Sequence, residues 1–227
     1  MTAPASGAPL TTVHLLRHGE VDNPRGVLYG RLPGFGLSAV GERMAGVAAA
    51  ALADRLVVTV VSSPLERARQ TAAPVAEHFG LDVDVDDRLV EAANLFEGLT
   101  VGVGDGVSSR PTYWRHLWNP FRPSWGEPYA VIADRMLAAV RDARDRAREL
   151  SGAGAGAAGE AVCVSHQMPI WVARCAAEGR SLWHRPDRRQ CGLASLTSLT
   201  WRGDRVVAVT YVEPAGPTTW RGQPPGA

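Results

Sequence analysis

The chain contains no lysine, so all 24 of its basic residues are arginine. That absence removes the lysine of a nucleotide phosphate-binding loop and every Schiff-base mechanism. Each fixed cation is instead a planar guanidinium, always charged and shaped to grip phosphate or carboxylate through paired hydrogen bonds. Richness in Ala and Arg without Lys is also what GC-rich bacterial coding produces, so only the position of an individual Arg is informative. Cysteine is scarce: Cys163, Cys175 and Cys191 are odd in number, far apart and form no CxxC pair. A disulfide framework is excluded, and buried free thiols in a reducing cytoplasm are expected. No apolar run approaches the ~18 residues of a membrane span. The stretch MTAPASGAPL lacks the charged start and apolar core of a signal peptide. Net charge is also nearly missing, +1 with a pI near 7.8, which offers no global basic field to a nucleic acid. The expectations are a cytoplasmic protein with no membrane and no nucleic-acid partner.

What is present suits one α/β domain: 227 residues, 45% hydrophobic and 21% charged, enough for an ordinary core. Residues 1–10 and 214–227 read as flexible tails around a domain at 11–213. A β-branched run from Thr11 ends at Arg17-His18-Gly19-Glu20, which reads as a strand feeding a loop. A Gly/Pro-rich loop follows over 21–37. Ser38 is placed to cap a helix reaching about Arg55, with Val40, Met44, Val47 and Leu52 on its apolar face. Residues 56–61 are a continuous apolar run of the kind found in buried parallel strands. Ser63-Pro64-Leu65-Glu66 has the pattern of a capped helix start, with Ser63 as N-cap, and that helix should end near Gly80. A short strand is expected at 81–85. The segment 98–126 combines a Gly-rich piece with Tyr113, Trp114, Trp118, Phe121 and Trp125 among Arg and Pro, and reads as an insert packed by its own aromatics. A long amphipathic helix is expected over 127–150 with Ile132, Met136, Val140, Ala143, Ala147 and Leu150 on one face, then a Gly/Ala linker. A strand ending at Ser165-His166, a helix over about 169–178 and a hairpin turning at Arg202-Gly203-Asp204 complete the chain. Strands alternating with helices imply a three-layer α/β/α sandwich around a mainly parallel sheet.

Ligands of such sheets bind beyond the carboxyl ends of the strands. The polar groups at that edge are Arg17-His18-Gly19-Glu20, Ser62-Ser63 with Arg67, Ser165-His166, and Glu91 after the 81–85 strand. Two imidazoles, two guanidiniums and a carboxylic acid suit phosphoryl transfer to a nitrogen nucleophile. One neutral imidazole attacks phosphorus, the cations stabilise the equatorial oxygens, and the acid protonates the leaving oxygen. Metal ligation by His14 and His18 is disfavoured, because they lie on a strand without a third ligand. Gly102-Val103-Gly104-Asp105-Gly106 lacks the context of a nucleotide loop. The Arg- and Trp-rich stretch 110–125 reads as a lid or wall in preference to a base-stacking surface.

Several blocks then carry a resemblance. Leu16-Arg17-His18-Gly19-Glu20, Ser62-Ser63-Pro64-Leu65-Glu66-Arg67-Ala68-Arg69-Gln70-Thr71-Ala72, Leu89-Val90-Glu91 with Phe96-Glu97-Gly98, and Val164-Ser165-His166 stand in the order found in the histidine phosphatase, or phosphoglycerate mutase-like, superfamily. The resemblance implies that fold and a metal-independent phosphomonoesterase needing no cofactor. It implies that His18 becomes the phosphohistidine, with its other ring nitrogen donating to a backbone carbonyl. Arg17, Arg67 and His166 would complete the phosphate pocket. Glu91 would be the proton donor, with Glu97 as the rival acid. Asn23, Gln167 and Arg31 are the substrate-binding candidates. Asn23 stands one residue earlier than the family's usual Asn, at Pro24's expense, and Gln167 replaces the usual Gly. The expected partner is a small phosphorylated metabolite, and a homodimer is left open. A cofactor-dependent phosphoglycerate mutase and a phospho-ligand-binding protein without turnover are the alternatives.

Overall fold

The computed structural model describes residues 9–99, 126–151, 159–185 and 188–217. The aromatic insert, with Trp114, Arg115, Trp118 and Arg122, the Gly/Ala linker and most of both tails lie outside the described residues.

Alternation in the first strand, β1 (Leu10–Arg17), sets up the layers. Val13 and Leu15 face one side of the sheet and Leu16 the other, and each joins a separate apolar cluster. Both faces are covered, so every residue of the strand after Leu10 is buried, Thr11, Thr12, His14 and Arg17 included. The remaining strands are β2 (Val57–Ser62), β3 (Val83–Val85), β4 (Glu160–Ser165), β5 (Leu196–Arg202) and β6 (Arg205–Val212). They form one sheet in the order β3-β2-β4-β1-β5-β6. The pairs β3–β2, β2–β4 and β4–β1 are parallel, while β5 and β6 complete the sheet antiparallel. This is the mixed, mainly parallel α/β/α sandwich expected.

Helices α1 (Ala39–Ala50) and α2 (Glu66–Phe79) pack on the Leu16 face. Helices α3 (Tyr129–Ser151) and α4 (Gln167–Ala177) pack on the Val13 face. In α3, Ile132, Met136, Val140, Ala143 and Ala147 are buried as expected, but Leu150 at the helix end is exposed. Helix α2 stops at Gly80, which adopts φ +64°, a left-handed cap that glycine takes without strain.

Two local expectations are corrected. Ser38 does cap α1, its Oγ accepting from Gly41 N at 3.0 Å, but Val40 and Val47 point outward. The buried stripe is Gly41, Ala45, Ala48 and Ala49. The reason is a close backbone approach: a Cβ on Gly41 would collide with the Glu20 carbonyl, and one on Gly19 with the Gly41 carbonyl. The helix therefore rests on the loop after β1 through its smallest residues. Second, α2 starts at Glu66 behind Leu65, with no side-chain cap. The Ser63 hydroxyl is held instead by His166, at 2.7 Å.

Candidate active site

Parallel register does most of the assembly. Arg17 of β1 pairs with Ser165 of β4, and Ser62 of β2 with Val164 of the same strand. The chain segments leaving these three strand ends are therefore neighbours. His18 N donates to Ser165 O at 3.1 Å and Ser63 N to Val164 O at 2.9 Å. The rings of His18 and His166 end 5.1 Å apart between centroids.

His18 is fully buried. Its Nδ1 lies 2.8 Å from Gly19 O. A carbonyl only accepts, so Nδ1 carries the proton and Nε2 keeps its lone pair. Nε2 is buried and has no partner among the described residues. Burial first, then Arg67 and Arg17, hold the His18 pKa well below the ordinary histidine value; the bond to Gly19 opposes this without reversing it. His166 is shifted the same way, by burial and then by Arg67, His18 and Arg17. Its Nε2 meets Ser63 Oγ, and its Nδ1 is buried with no partner among the described residues.

The guanidiniums are braced by backbone carbonyls. Arg17 Nη1 donates to Cys191 O and Arg67 Nη2 to Gly30 O, both at 2.7 Å. Arg67 also lies over Tyr29, 4.7 Å from the ring centroid, and its Nε is buried with no partner among the described residues. Arg67 sits in the first turn of α2, where the helix dipole adds positive potential. Thr71 ties this helix to β1's exit: its Oγ1 accepts from Gly19 N at 3.1 Å and donates to Arg67 O at 2.7 Å. A strained residue supports the opposite side. Ala194 sits at φ +50°, its N–H donating to His18 O, while Ser195 O receives the Arg17 N–H.

Glu91 reaches the same centre from the segment after β3 and a short 3-10 turn, Asp87–Leu89. Its carboxylate is buried and accepts from Ala92 N at 2.8 Å. Burial raises its pKa above the ordinary carboxyl value, against the pull of that N–H and of Arg67, Arg17 and Arg189. Arg31 holds the segment from behind, Nε donating to Glu91 O at 2.6 Å and Nη2 to Glu127 at 2.9 Å. Arg135 does the same, donating to the carbonyls of Arg88 and Val90 and pairing with Glu127.

The structure thus brings together His18, Arg17, Arg67, His166 and Glu91. Gln167, the first residue of α4, is buried beside them. It leaves Arg31 engaged behind the site, and both amide atoms of Asn23 on the backbone of Val27, at 2.8 and 3.2 Å. Glu97 is half-buried, its Oε1 accepting from Asn94 N at 3.3 Å. Sequence reasoning missed Tyr29, Thr71 and Arg189. Thr71 lay inside a recognised block; Tyr29 and Arg189 sit in irregular segments with no periodic signal. Among the described residues no His/Cys/Asp/Glu group has the geometry of a metal site; His14 is bonded instead to Ser198 and Glu160. Chemically, the centre offers an unprotonated imidazole nitrogen, two cations with N–H groups, a second imidazole and an acid, all shielded from water.

Comparison with known proteins places this arrangement. The profile of the histidine phosphatase superfamily (branch 1) matches residues 13–214. An uncharacterized protein of Mycobacterium tuberculosis is 55% identical over 205 residues, covering 90% of this chain and 97% of that one. A glucosyl-3-phosphoglycerate phosphatase of Mycolicibacterium vanbaalenii is 32% identical over 145 residues, 62% of this chain and 63% of its own. The solved structure of a mycobacterial glucosyl-3-phosphoglycerate phosphatase superposes with a TM-score of 0.69 at 28% identity, covering 88% of this chain and 95% of that one. With its fold, its strand-end histidines and this match along most of its length, the chain belongs to the histidine phosphatase superfamily.

Proposed function

We propose that the protein is a metal-independent phosphomonoester hydrolase that works through a phosphohistidine on His18. The observation that carries this reading is the state of His18: proton fixed on Nδ1 by Gly19, Nε2 unprotonated, buried and without a partner among the described residues. A nitrogen in that state is an activated nucleophile. Nε2 attacks phosphorus in line and the P–O ester bond breaks. Arg17 and Arg67 hold the equatorial oxygens. With Ser63 Oγ–H donating to His166 Nε2, the neutral His166 carries its proton on Nδ1 and donates it to a third oxygen position. These preorganised donors stabilise charge as it develops. Glu91, kept partly in its acid form by burial, gives its proton to the leaving alkoxide. The resulting carboxylate then takes a proton from water as that water attacks phosphohistidine, which regenerates His18 and releases phosphate.

Arg17 and Arg67 supply the positive charge that a metal ion supplies in other phosphatases, so the reaction is expected to need no metal. The substrate is a small phosphorylated metabolite, in keeping with the relatives named for phosphatase activity. Hydrolysis of p-nitrophenyl phosphate in excess EDTA tests the reading. Turnover by the wild type and none by His18→Ala, with the fold intact by circular dichroism, is the expected result. Loss of wild-type activity on chelation, or retention in His18→Ala, would contradict it. Isomerisation of 3-phosphoglycerate faster than its hydrolysis would move the assignment to a mutase.

A further inference from the structure

Arg189 lies between α4 and β5, outside every block that marked the site. Arg189 is half-buried; partial desolvation lowers its pKa, and it is near enough to Glu91 and Arg17 to interact electrostatically with both. Its hydrogen bonds run to neutral groups. Nε donates to His184 Nε2 at 2.8 Å, and Nη1 makes a long contact, 3.4 Å, with Gln167 Oε1. His184 is itself held neutral: Nδ1 donates to Leu182 O at 2.7 Å, and burial pushes its pKa down to about 4. The His184 ring is packed between Tyr129 and Trp171, with centroids 5.2 and 5.9 Å away. None of the described ion pairs includes Arg189.

The half-buried cation is thus held by uncharged hydrogen-bond partners. A carboxylate partner would neutralise it; an imidazole and an amide orient it and leave the charge whole. Gln167 links it to the catalytic centre, because the preceding residue, His166, has its ring 5.1 Å from that of His18. A guanidinium has five N–H donors, and among the described residues two nitrogens of Arg189 are engaged, by His184 and Gln167. Neither partner is a backbone carbonyl or an acid, unlike those of Arg31 and Arg135.

We propose that Arg189, oriented by His184 and Gln167, is a specificity-determining residue that binds a carboxylate on the non-reacting part of the substrate. The inference rests on the phosphomonoesterase reading above. A single positive charge on a planar fork matches one carboxylate bound through two parallel hydrogen bonds. A second phosphate, carrying about two charges, would call for another cation beside Arg189, whereas Arg17 and Arg67 serve the ester phosphate together. The preferred substrates are accordingly small phosphomonoesters with a carboxylate a few bonds from the ester oxygen.

The test uses a matched pair of esters, 3-phosphoglycerate and glycerol 3-phosphate, which differ only in carboxylate against hydroxymethyl. The readout is the ratio of their kcat/KM values in wild type, Arg189→Gln and Arg189→Lys. Wild type should favour 3-phosphoglycerate. Arg189→Gln should reduce the ratio about 10–100-fold, the worth of a hydrogen bond to a charged group, mainly through KM. Arg189→Lys, which keeps the charge without the fork, should fall between. Equal losses on both esters would overturn the proposal and make Arg189 a structural brace. A wild-type ratio near one would overturn it too. Hydrolysis of p-nitrophenyl phosphate by the same samples keeps the two claims apart. If wild type turns over neither metabolite nor this ester, the phosphatase reading fails. Calorimetric binding of the two metabolites to wild type and Arg189→Gln then still decides whether Arg189 selects the carboxylate.

Discussion

The arginines at the carboxyl edge of the sheet and those along α3 are chemically identical and held in opposite ways. On the α3 side, Arg135 pairs with Glu127, Arg144 with Asp145 and Asp204, and Arg88 with Asp86 and Asp142. At the sheet edge, Arg67 is buried against a carbonyl and an aromatic ring, and Arg189 is half-buried against an imidazole and an amide. The histidines divide similarly. His14, on β1 four residues before His18, has both ring nitrogens bonded, to Ser198 and Glu160. His18 and His166 each keep one buried nitrogen without a partner among the described residues. Charges along the scaffold are neutralised where they stand; Arg67 and Arg189 at the edge are in none of the described ion pairs. With one kind of basic residue throughout, the partner, not the residue type, separates the two roles.

The widest test of that division sets Glu91 against Glu127. Glu127 is clamped by Arg31 and Arg135, whereas Glu91 accepts from Ala92 N and is raised by burial. Glu91→Gln should lower kcat on alkyl phosphates about 10²–10⁴-fold, the range for general acid catalysis. The loss on aryl phosphates should be smaller, because phenolates leave unaided. Equal losses would assign Glu91 a structural role, and a larger selective loss in Glu97→Gln would move the acid there.

A second comparison exchanges an arginine on each side. Arg67→Met should cost about 10²–10³-fold in kcat, as removal of a preorganised donor does elsewhere, while leaving thermal stability unchanged or raised. Arg135→Met should do the reverse. It leaves Glu127 to Arg31 alone and frees the carbonyls of Arg88 and Val90, costing about 2–3 kcal/mol of stability. Melting curves beside steady-state rates check both, and a site arginine behaving like a scaffold one would erase the distinction.

The smallest effect is the share of His18 alone in the dependence of stability on pH. Folding lowers the pKa values of His18, His166 and His184. The unfolded chain takes up these protons below about pH 6.5, where the folded chain refuses them. Stability from these groups is complete above that value and falls as the pH drops, by up to about 1.4 kcal/mol per unit for each histidine. Glu91 has a raised pKa, so its contribution is full below about 4.3 and is lost as the pH rises; one group opposes three. Melting temperature should therefore fall between pH 7 and pH 5.5, and less steeply in His18→Asn. An unchanged slope in that variant would contradict the burial of a neutral His18.

Much of this was legible beforehand because the site is built at strand ends. A strand followed directly by Arg17-His18 or Ser165-His166 delivers those side chains to one edge by topology alone, and parallel register does the rest. What was hidden depends on partners distant in sequence. The helix-start pattern at Ser63 gave no hint that His166 would take its hydroxyl. Spacing put Val40 and Val47 on the buried face, since periodicity does not reveal that Gly41 rests on the backbone of Glu20. Arg189 was one arginine among many until its neutral partners were seen.

The central claim is that the unpartnered Nε2 of His18 exists to carry phosphate. The most direct measurement is rapid acid-free quenching of the protein with a ³²P-labelled phosphomonoester, followed by alkaline digestion-resistant peptide mapping. The account expects a burst of label that is stable to base, labile to acid and located on His18, absent from His18→Ala and persisting longer in Glu91→Gln. Turnover without any such label, or label retained in His18→Ala, would contradict it.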